Sequence, residues 1–172
     1  RRQGVEPPPT DRAMPESNRD DGTSPPGLLR YRRAKFVARF PRDRSYTPSH
    51  YWLLERAEGI WRIGYTKFAM RMLGEAVEID FEVEAGSQVE VGDVVGWMEG
   101  FKAVSDLFSP MAGIFRGGNP GLDESIGSVH AKPYTLGWLF EIEGEPGDDV
   151  LDAEGYAREL DVTIDSMMGE YE

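Results

Sequence analysis

The chain has 172 residues, no cysteine and a net charge of −12. Without cysteine there are no disulfides, thiolate metal sites or cysteine nucleophiles, so redox chemistry must come from a group attached to or bound by the protein. Residues 1–50 sum to +5 and residues 51–172 to −17; the second part therefore disfavours nucleic acid and anionic membrane and favours basic protein surfaces, although a merely solubilising acidic face fits the charge equally well.

Residues 1–27 hold Pro7-Pro8-Pro9, Pro15 and Pro25-Pro26 with scattered charges and few large apolar side chains. Such a segment cannot offset the entropy of ordering itself and is expected to be disordered. It lacks the apolar stretch of a secretory signal, and no run in the chain approaches the roughly 20 apolar residues that span a bilayer. A cytoplasmic bacterial protein is expected. A mitochondrial transit peptide would be Arg-rich too, but Glu6, Asp11, Glu16, Asp20 and Asp21 argue against one. Residues 28–45 form a basic arm in which Arg30, Arg32, Arg33, Lys35, Arg39, Arg42 and Arg44 interleave with Leu28, Leu29, Tyr31, Phe36, Val37 and Phe40. Three readings compete: an arm lying on the acidic part of its own chain, a docking element for another protein, or a nucleic-acid contact. The first is favoured, because the nearest large acidic surface is tethered to it.

From Tyr46 onward short apolar runs alternate with glycine punctuation, which predicts mostly strand. His50 to Arg56, the Glu58-Gly59 turn and Ile60 to Gly64 make a hairpin. Thr66 caps a short helix with Phe68, Ala69, Met72 and Leu73 on its apolar face and Gly74 as its stop. Val77, Ile79 and Phe81 alternate with Glu78, Asp80 and Glu82, as in a half-buried strand. Near the end Asp152 caps a helix, Leu151 and Tyr156 having the spacing of a hydrophobic staple. Residues 162–172 are then a tail or a further helical turn.

The stretch from Ala85 to Phe115 reads as turn, strand, lysine, strand, turn. Val94 to Phe101 is the first strand, Ala103 to Phe108 the second, and Lys102 stands between them. A lysine at a hairpin tip suits acylation, because an attaching enzyme meets one amine on a rigid scaffold. From position alone, a solvated turn residue explains it as well.

The neighbours of Lys102 add to this. Glu99-Gly100-Phe101-Lys102-Ala103-Val104-Ser105-Asp106 resembles the attachment segment of glycine cleavage system H proteins, with a glutamate three residues before the lipoyl-lysine and Lys-Ala-x-Ser-Asp after it. His50-Tyr51-Trp52, Gly64-Tyr65-Thr66 through Leu73-Gly74-Glu75, Pro133-Tyr134-Thr135-Leu136-Gly137-Trp138 and Leu151-Asp152-Ala153 with Tyr156 resemble further segments of that family, in the same order. The resemblance covers about residues 46–161. Gly100 stands where the family often has Ser or Thr, Glu82 replaces a usual proline, and His130 stands where Asn is commoner.

The resemblance implies a mostly β, lipoyl-domain-like fold: a flattened barrel or sandwich of two small antiparallel sheets, with a short helix and a C-terminal helix outside. The interior is expected to include Trp52, Leu54, Ile63, Phe68, Leu73, Val77, Ile79, Val94, Leu107, Ile114, Trp138, Phe140 and Tyr156. It further implies a non-catalytic carrier with lipoate attached covalently at Lys102. Glu99 and Asp106, which flank the lysine, are either read by the lipoate-attaching enzyme or steer docking, or are simply solvated. The implied partners are a pyridoxal-phosphate glycine decarboxylase, a tetrahydrofolate-dependent aminomethyltransferase and dihydrolipoamide dehydrogenase, among which the lipoyl group would shuttle the aminomethyl group of glycine. Neither histidine reads as catalytic, and two isolated histidines make no metal site. A biotinyl domain would share the lysine-tipped hairpin, but its Met-Lys-Met is replaced by Phe101-Lys102-Ala103. The alternatives are an H-like interaction scaffold, or a lipoyl carrier serving other partners.

Overall fold

The computed structural model describes residues 27–169. Except for Gly27, the Pro-rich segment 1–27 lies outside them. The first element is the antiparallel hairpin of β1 (Leu28–Arg33) and β2 (Phe36–Pro41). Its period-2 pattern puts Leu29, Tyr31, Phe36, Ala38 and Phe40 on a buried face and Arg30, Arg32, Val37 and Arg39 on the other.

β3 (Ser45–Tyr46), β4 (Tyr51–Ala57) and β5 (Ile60–Tyr65) follow, with Gly59 at φ 75° in the β4–β5 turn. Then come α1 (Lys67–Leu73), β6 (Ala76–Phe81), β7 (Gln88–Val89), β8 (Val94–Gly100), β9 (Val104–Phe108) and β10 (Gly113–Gly118). A 3-10 turn (Pro120–Asp123), α2 (Ser128–Ala131), β11 (Phe140–Gly144) and α3 (Ala153–Gly169) complete the order. The strands form a six-stranded sheet, β3-β4-β5-β11-β10-β7, and a three-stranded sheet, β6-β8-β9, with every pairing antiparallel. Together they make an open, flattened sandwich, with the β1–β2 hairpin as a third, separate sheet.

Two apolar clusters hold this together. Leu53, Ile63, Val95, Met98, Leu107, Phe115, Phe140 and Ile142 belong to the one formed by the two larger sheets. The other gathers the buried face of the β1–β2 hairpin with Tyr46, Trp52, Phe68 and the α3 residues Tyr156, Leu160 and Ile164. α1 joins the two, contributing Ala69, Met70 and Leu73 to the first and Phe68 to the second. Among the described residues no helix is long and apolar enough to cross a membrane.

Two expected interior positions, and one residue expected on the apolar face of α1, are corrected. Val77 and Val94 are exposed because a register shift lies beside each: β6 pairs Ala76 with Gly100 and then Glu78 with Glu99, while β8 pairs Val94 with Phe108 and then Gly96 with Leu107. An extra residue in one strand reverses which side chains point inward, so Val95, not Val94, enters the core. On α1, Met72 is exposed and Met70 buried, because the helix is flanked on two sides and its apolar surface is wider than one stripe. Leu54, Ile79, Ile114 and Trp138 are only partly buried.

The appended hairpin is held chiefly by its apolar face. Phe40 is 1 % exposed and packs edge-on against Tyr46 and Tyr156, at centroid distances of 5.5 and 5.3 Å. Phe40→Ala should therefore cost about 3–5 kcal/mol in urea unfolding, whereas Val37→Ala, on the outer face, should stay within about 0.5 kcal/mol of the parent.

Candidate functional site

α1 sets the geometry of the site. Its N-terminus is capped by Thr66, whose Oγ1 accepts from the Ala69 amide at 3.4 Å, and it stops at Gly74, where φ is 81°. The last carbonyls of a helix lack intrahelical partners. Here the β8–β9 tip supplies one of them: the Lys102 amide donates to the Leu73 carbonyl at 2.8 Å. The Phe101 amide donates to the Glu75 carbonyl at 3.0 Å, and Gly100 closes the turn by donating to Ala103 at 2.8 Å. The tip is thus fixed through its backbone, and its side chains remain free to serve another purpose.

Such close docking requires glycine on both sides. A Cβ on Gly100 would lie 2.2 Å from the Leu73 carbonyl oxygen, and one on Gly74 would lie 3.1 Å from the Lys102 amide nitrogen. Gly100, the departure noted in the sequence, allows α1 and the tip of this chain to touch. At the tip Phe101 and Val104 are 76 % and 67 % exposed, and Lys102 is exposed between them. The Lys102 Nζ donates to the Arg71 carbonyl at 3.0 Å, a favourable place for a cation because carbonyls at a helix C-terminus carry partial negative charge.

The other two residues singled out from sequence share one face of the sheet. Glu99 pairs with Glu78 on one side and Val104 on the other; Trp97 pairs with Asp80 and with Asp106. Two rows below the lysine the outer face thus presents Glu78, Glu99, Asp80 and Asp106 around Trp97. Like charges set opposite each other cost stability, so this arrangement is not explained by folding alone.

His50 belongs to a structural network. Its Nδ1 lies 2.8 Å from the Tyr156 hydroxyl, which also lies 2.8 Å from Thr66 Oγ1. Burial lowers the His50 pKa from 6.5 to about 4, and a neutral ring can accept from Tyr156 where an imidazolium could not. Burial likewise pushes the Tyr156 hydroxyl well above its ordinary range. His130, at the end of α2, is exposed. The Arg71 and Leu73 carbonyls that receive Lys102 were absent from the sequence reading, because any residue type supplies a carbonyl.

A profile of the family described as Glycine cleavage H-protein matches residues 44–161. The chain is 38% identical over 128 residues to the glycine cleavage system H protein of Pectobacterium atrosepticum, covering 73% of this chain and 98% of that one. It is 38% identical over 125 residues to the glycine cleavage system H protein of Micrococcus luteus, with 70% and 97% covered. Among solved structures, that of a glycine cleavage system H protein from Mycobacterium marinum superposes with a TM-score of 0.61 at 32% identity, covering 69% of this chain and 96% of that one. The chain belongs to the glycine cleavage H-protein family. The fold expected from the resemblance is the observed one, and the chain is accordingly a lipoyl-bearing carrier of the glycine cleavage system. In all three comparisons this chain is the longer, and the β1–β2 hairpin lies ahead of the family match.

Gly100→Ala should displace the tip from α1, with a loss of about 1–3 kcal/mol of stability and faster hydrogen exchange at the Lys102 amide. The His50 titration gives a second expectation. Its folded pKa lies below its unfolded value, so between pH 6.5 and 4 only the unfolded chain takes up the proton, and stability falls as pH drops through that window. His50→Asn, which tolerates the φ of 76°, should remove that part of the acid sensitivity, about 3 kcal/mol in the difference between the two urea-unfolding profiles.

Proposed function

We propose that Lys102 is the lipoyl attachment residue and that the protein shuttles the aminomethyl group of glycine between the enzymes of glycine cleavage through it. The observation that carries this reading is the contrast at the tip: a backbone pinned to α1 at Phe101 and Lys102, and an exposed amine whose hydrogen bond goes to a main-chain carbonyl. The residues present fit an acylated lysine. An amide retains one N–H, which can still donate to the Arg71 carbonyl, and Phe101 and Val104 leave the approach to the amine open. When bound, the lipoyl group would supply a dithiolane whose S–S bond opens so that one sulfur carries the aminomethyl unit, the dithiol left after transfer being reoxidised by the partner dehydrogenase.

The chain's own residues hold and present. The Leu73 and Glu75 carbonyls keep the tip in one place, so that a docked partner enzyme finds the arm at high effective concentration. The acidic face of Glu78, Glu99, Asp80 and Asp106 would meet basic groups of the lipoate-attaching enzyme and of the partners: a pyridoxal-phosphate decarboxylase, a tetrahydrofolate-dependent aminomethyltransferase and dihydrolipoamide dehydrogenase. Such a partner would relieve the like-charge pairing of Glu78 with Glu99. No group at the tip is set to perform chemistry alone, and the carrier should show no turnover without its partners. The bacterial relatives support placing this cycle in the bacterial cytoplasm.

Intact-mass analysis of the protein from its native host should find a lipoyl-sized increment on Lys102. Lys102→Arg should melt like the parent, since an exposed tip side chain contributes little packing, yet reduce glycine-dependent aminomethyl transfer in the reconstituted system to background. Undiminished transfer, or an unmodified Lys102, would overturn the assignment.

A further inference from the structure

The outer face of the β1–β2 hairpin carries the opposite charge to the acidic face around Trp97. Its residues are set in rows by the strand register: Leu28 opposite Pro41, Arg30 opposite Arg39 and Arg32 opposite Val37. Two arginines directly opposite each other repel, so folding alone does not explain the Arg30–Arg39 row. Pairing within the chain does not explain the rest of the face. Arg33 and Arg42 are taken up by Asp161, Asp165 and Glu154 of α3, whereas Arg32 and Arg39 are exposed and meet no carboxylate among the described residues.

This face borders a groove of about 590 Å³. The hairpin lines it with Arg30, Arg32, Val37 and Arg39, and the rest of the chain with Lys67, the first residue of α1, and with Pro133 and Tyr134. The hairpin lies ahead of residues 44–161 and the other lining residues lie within them, so the groove forms where the extension meets family elements. Lys67 is exposed and, like Arg32 and Arg39, has no ion pair among the described residues.

The spacing and chemistry of these cations select the occupant. Alternate residues of a strand stand about 7 Å apart, which separates Arg30 from Arg32 along β1 and equally separates alternate side chains of an extended peptide laid beside it. Guanidinium groups take carboxylates bidentately, in a fixed plane. Val37 and Leu28, 55% and 51% exposed, offer apolar ground beside the arginines. Nucleic acid is disfavoured, because a long polyanion on the hairpin runs on to residues 51–172, with their net charge of −17. A short acidic segment ends before that repulsion grows.

We infer that this face is a docking surface for an extended acidic segment of a partner protein, its carboxylates on the arginine rows and Lys67 and an apolar side chain on Val37. Lys67 and the carbonyls that hold the lysine-bearing tip stand at the two ends of α1, about 10 Å apart for a seven-residue helix. A partner gripped here has the tip beside it. With acid on the three-stranded sheet and base on the hairpin, the chain presents both signs of charge, and a partner complementary to both is held in one orientation. The extension thereby acquires a role: it adds a second, oppositely charged contact to a family surface.

The test uses the unmodified full chain and, as probe, a short labelled and capped peptide in which Glu alternates with Thr around one central Leu, followed by fluorescence anisotropy. The peptide should bind at low salt and weaken as salt rises. Arg32→Gln, Arg39→Gln and Lys67→Gln, all at exposed positions, should melt like the parent and each weaken binding at least about threefold. Arg39→Lys should weaken it too, because the charge remains and the planar fork is lost. Arg116→Gln, which removes the same charge from the six-stranded sheet, should leave binding unchanged. No binding, or binding that Arg116→Gln weakens as much as Arg39→Gln does, overturns the inference. Tighter binding of a single-stranded oligonucleotide of equal charge would overturn it by assigning the face to nucleic acid, and self-association lost in Arg39→Gln by assigning it to a second copy. Tighter peptide binding by the chain carrying Asp20→Asn and Asp21→Asn would overturn it in favour of the chain's own N-terminal segment. Lys102→Arg should bind the peptide like the parent, so this docking stands or falls apart from the lipoyl assignment.

Discussion

The placement of α1 is the constraint on which the rest depends. Its N-terminus is tied through Thr66 to the Tyr156 hydroxyl, which also lies against His50, and its C-terminal carbonyls receive the amides of the lysine-bearing tip. A helix of seven residues has too few internal bonds to persist alone, so its position is decided by what packs on it and caps it. Phe68 on one side and Met70 and Leu73 on the other lock it between the two apolar clusters. The tip inherits that rigidity. Lys102 is exposed, but its backbone is held by the carbonyls at the end of that helix.

The same logic explains how an acidic domain accepts a basic extension. Arg33 bridges Asp161 at 3.3 Å and Asp165 at 2.8 Å, Arg42 meets Glu154, and the Tyr31 hydroxyl donates to Asp161 at 2.7 Å. These partners lie at the surface, where ion pairs contribute little free energy. They fix the register of the hairpin on α3. The stabilisation comes from Leu29, Tyr31, Phe36 and Phe40, which complete a cluster that α3 and Trp52 would otherwise leave open on that side.

What the sequence made legible follows from this division. α1 with its Thr66 cap and Gly74 stop, the β4–β5 hairpin and the β8–β9 hairpin are written in local signals: a capping residue, turn glycines, short apolar runs. The register shifts beside Val77 and Val94 left no such mark. One inserted residue moves a side chain from one face to the other without altering composition, and only pairing with a neighbouring strand reveals it. The hairpin at residues 28–41 does carry a period-2 pattern, Tyr31 between Arg30 and Arg32 and Ala38 between Val37 and Arg39, but the density of arginine masks the alternation. At the site, Lys102, Glu99 and Asp106 were visible as residue types, whereas the Leu73, Glu75 and Arg71 carbonyls that organise the tip were not.

Acylation of Lys102, as proposed, would act on a tip built in this way without disturbing it. Before modification the ammonium of Lys102 sits at the C-terminal carbonyls of α1, where positive charge is favoured. Conversion to an amide would remove that charge and keep one donor, so the contact with Arg71 would weaken electrostatically but need not break. The Phe101 and Lys102 amides, which do the anchoring, are untouched by the change. On that proposal scaffold and arm are separate: the hairpin would keep one position whatever the side chain carries, and each partner would meet the same acidic face beneath a different cargo. A lysine held by its side chain alone could not offer this, because modification would then release the tip along with the charge.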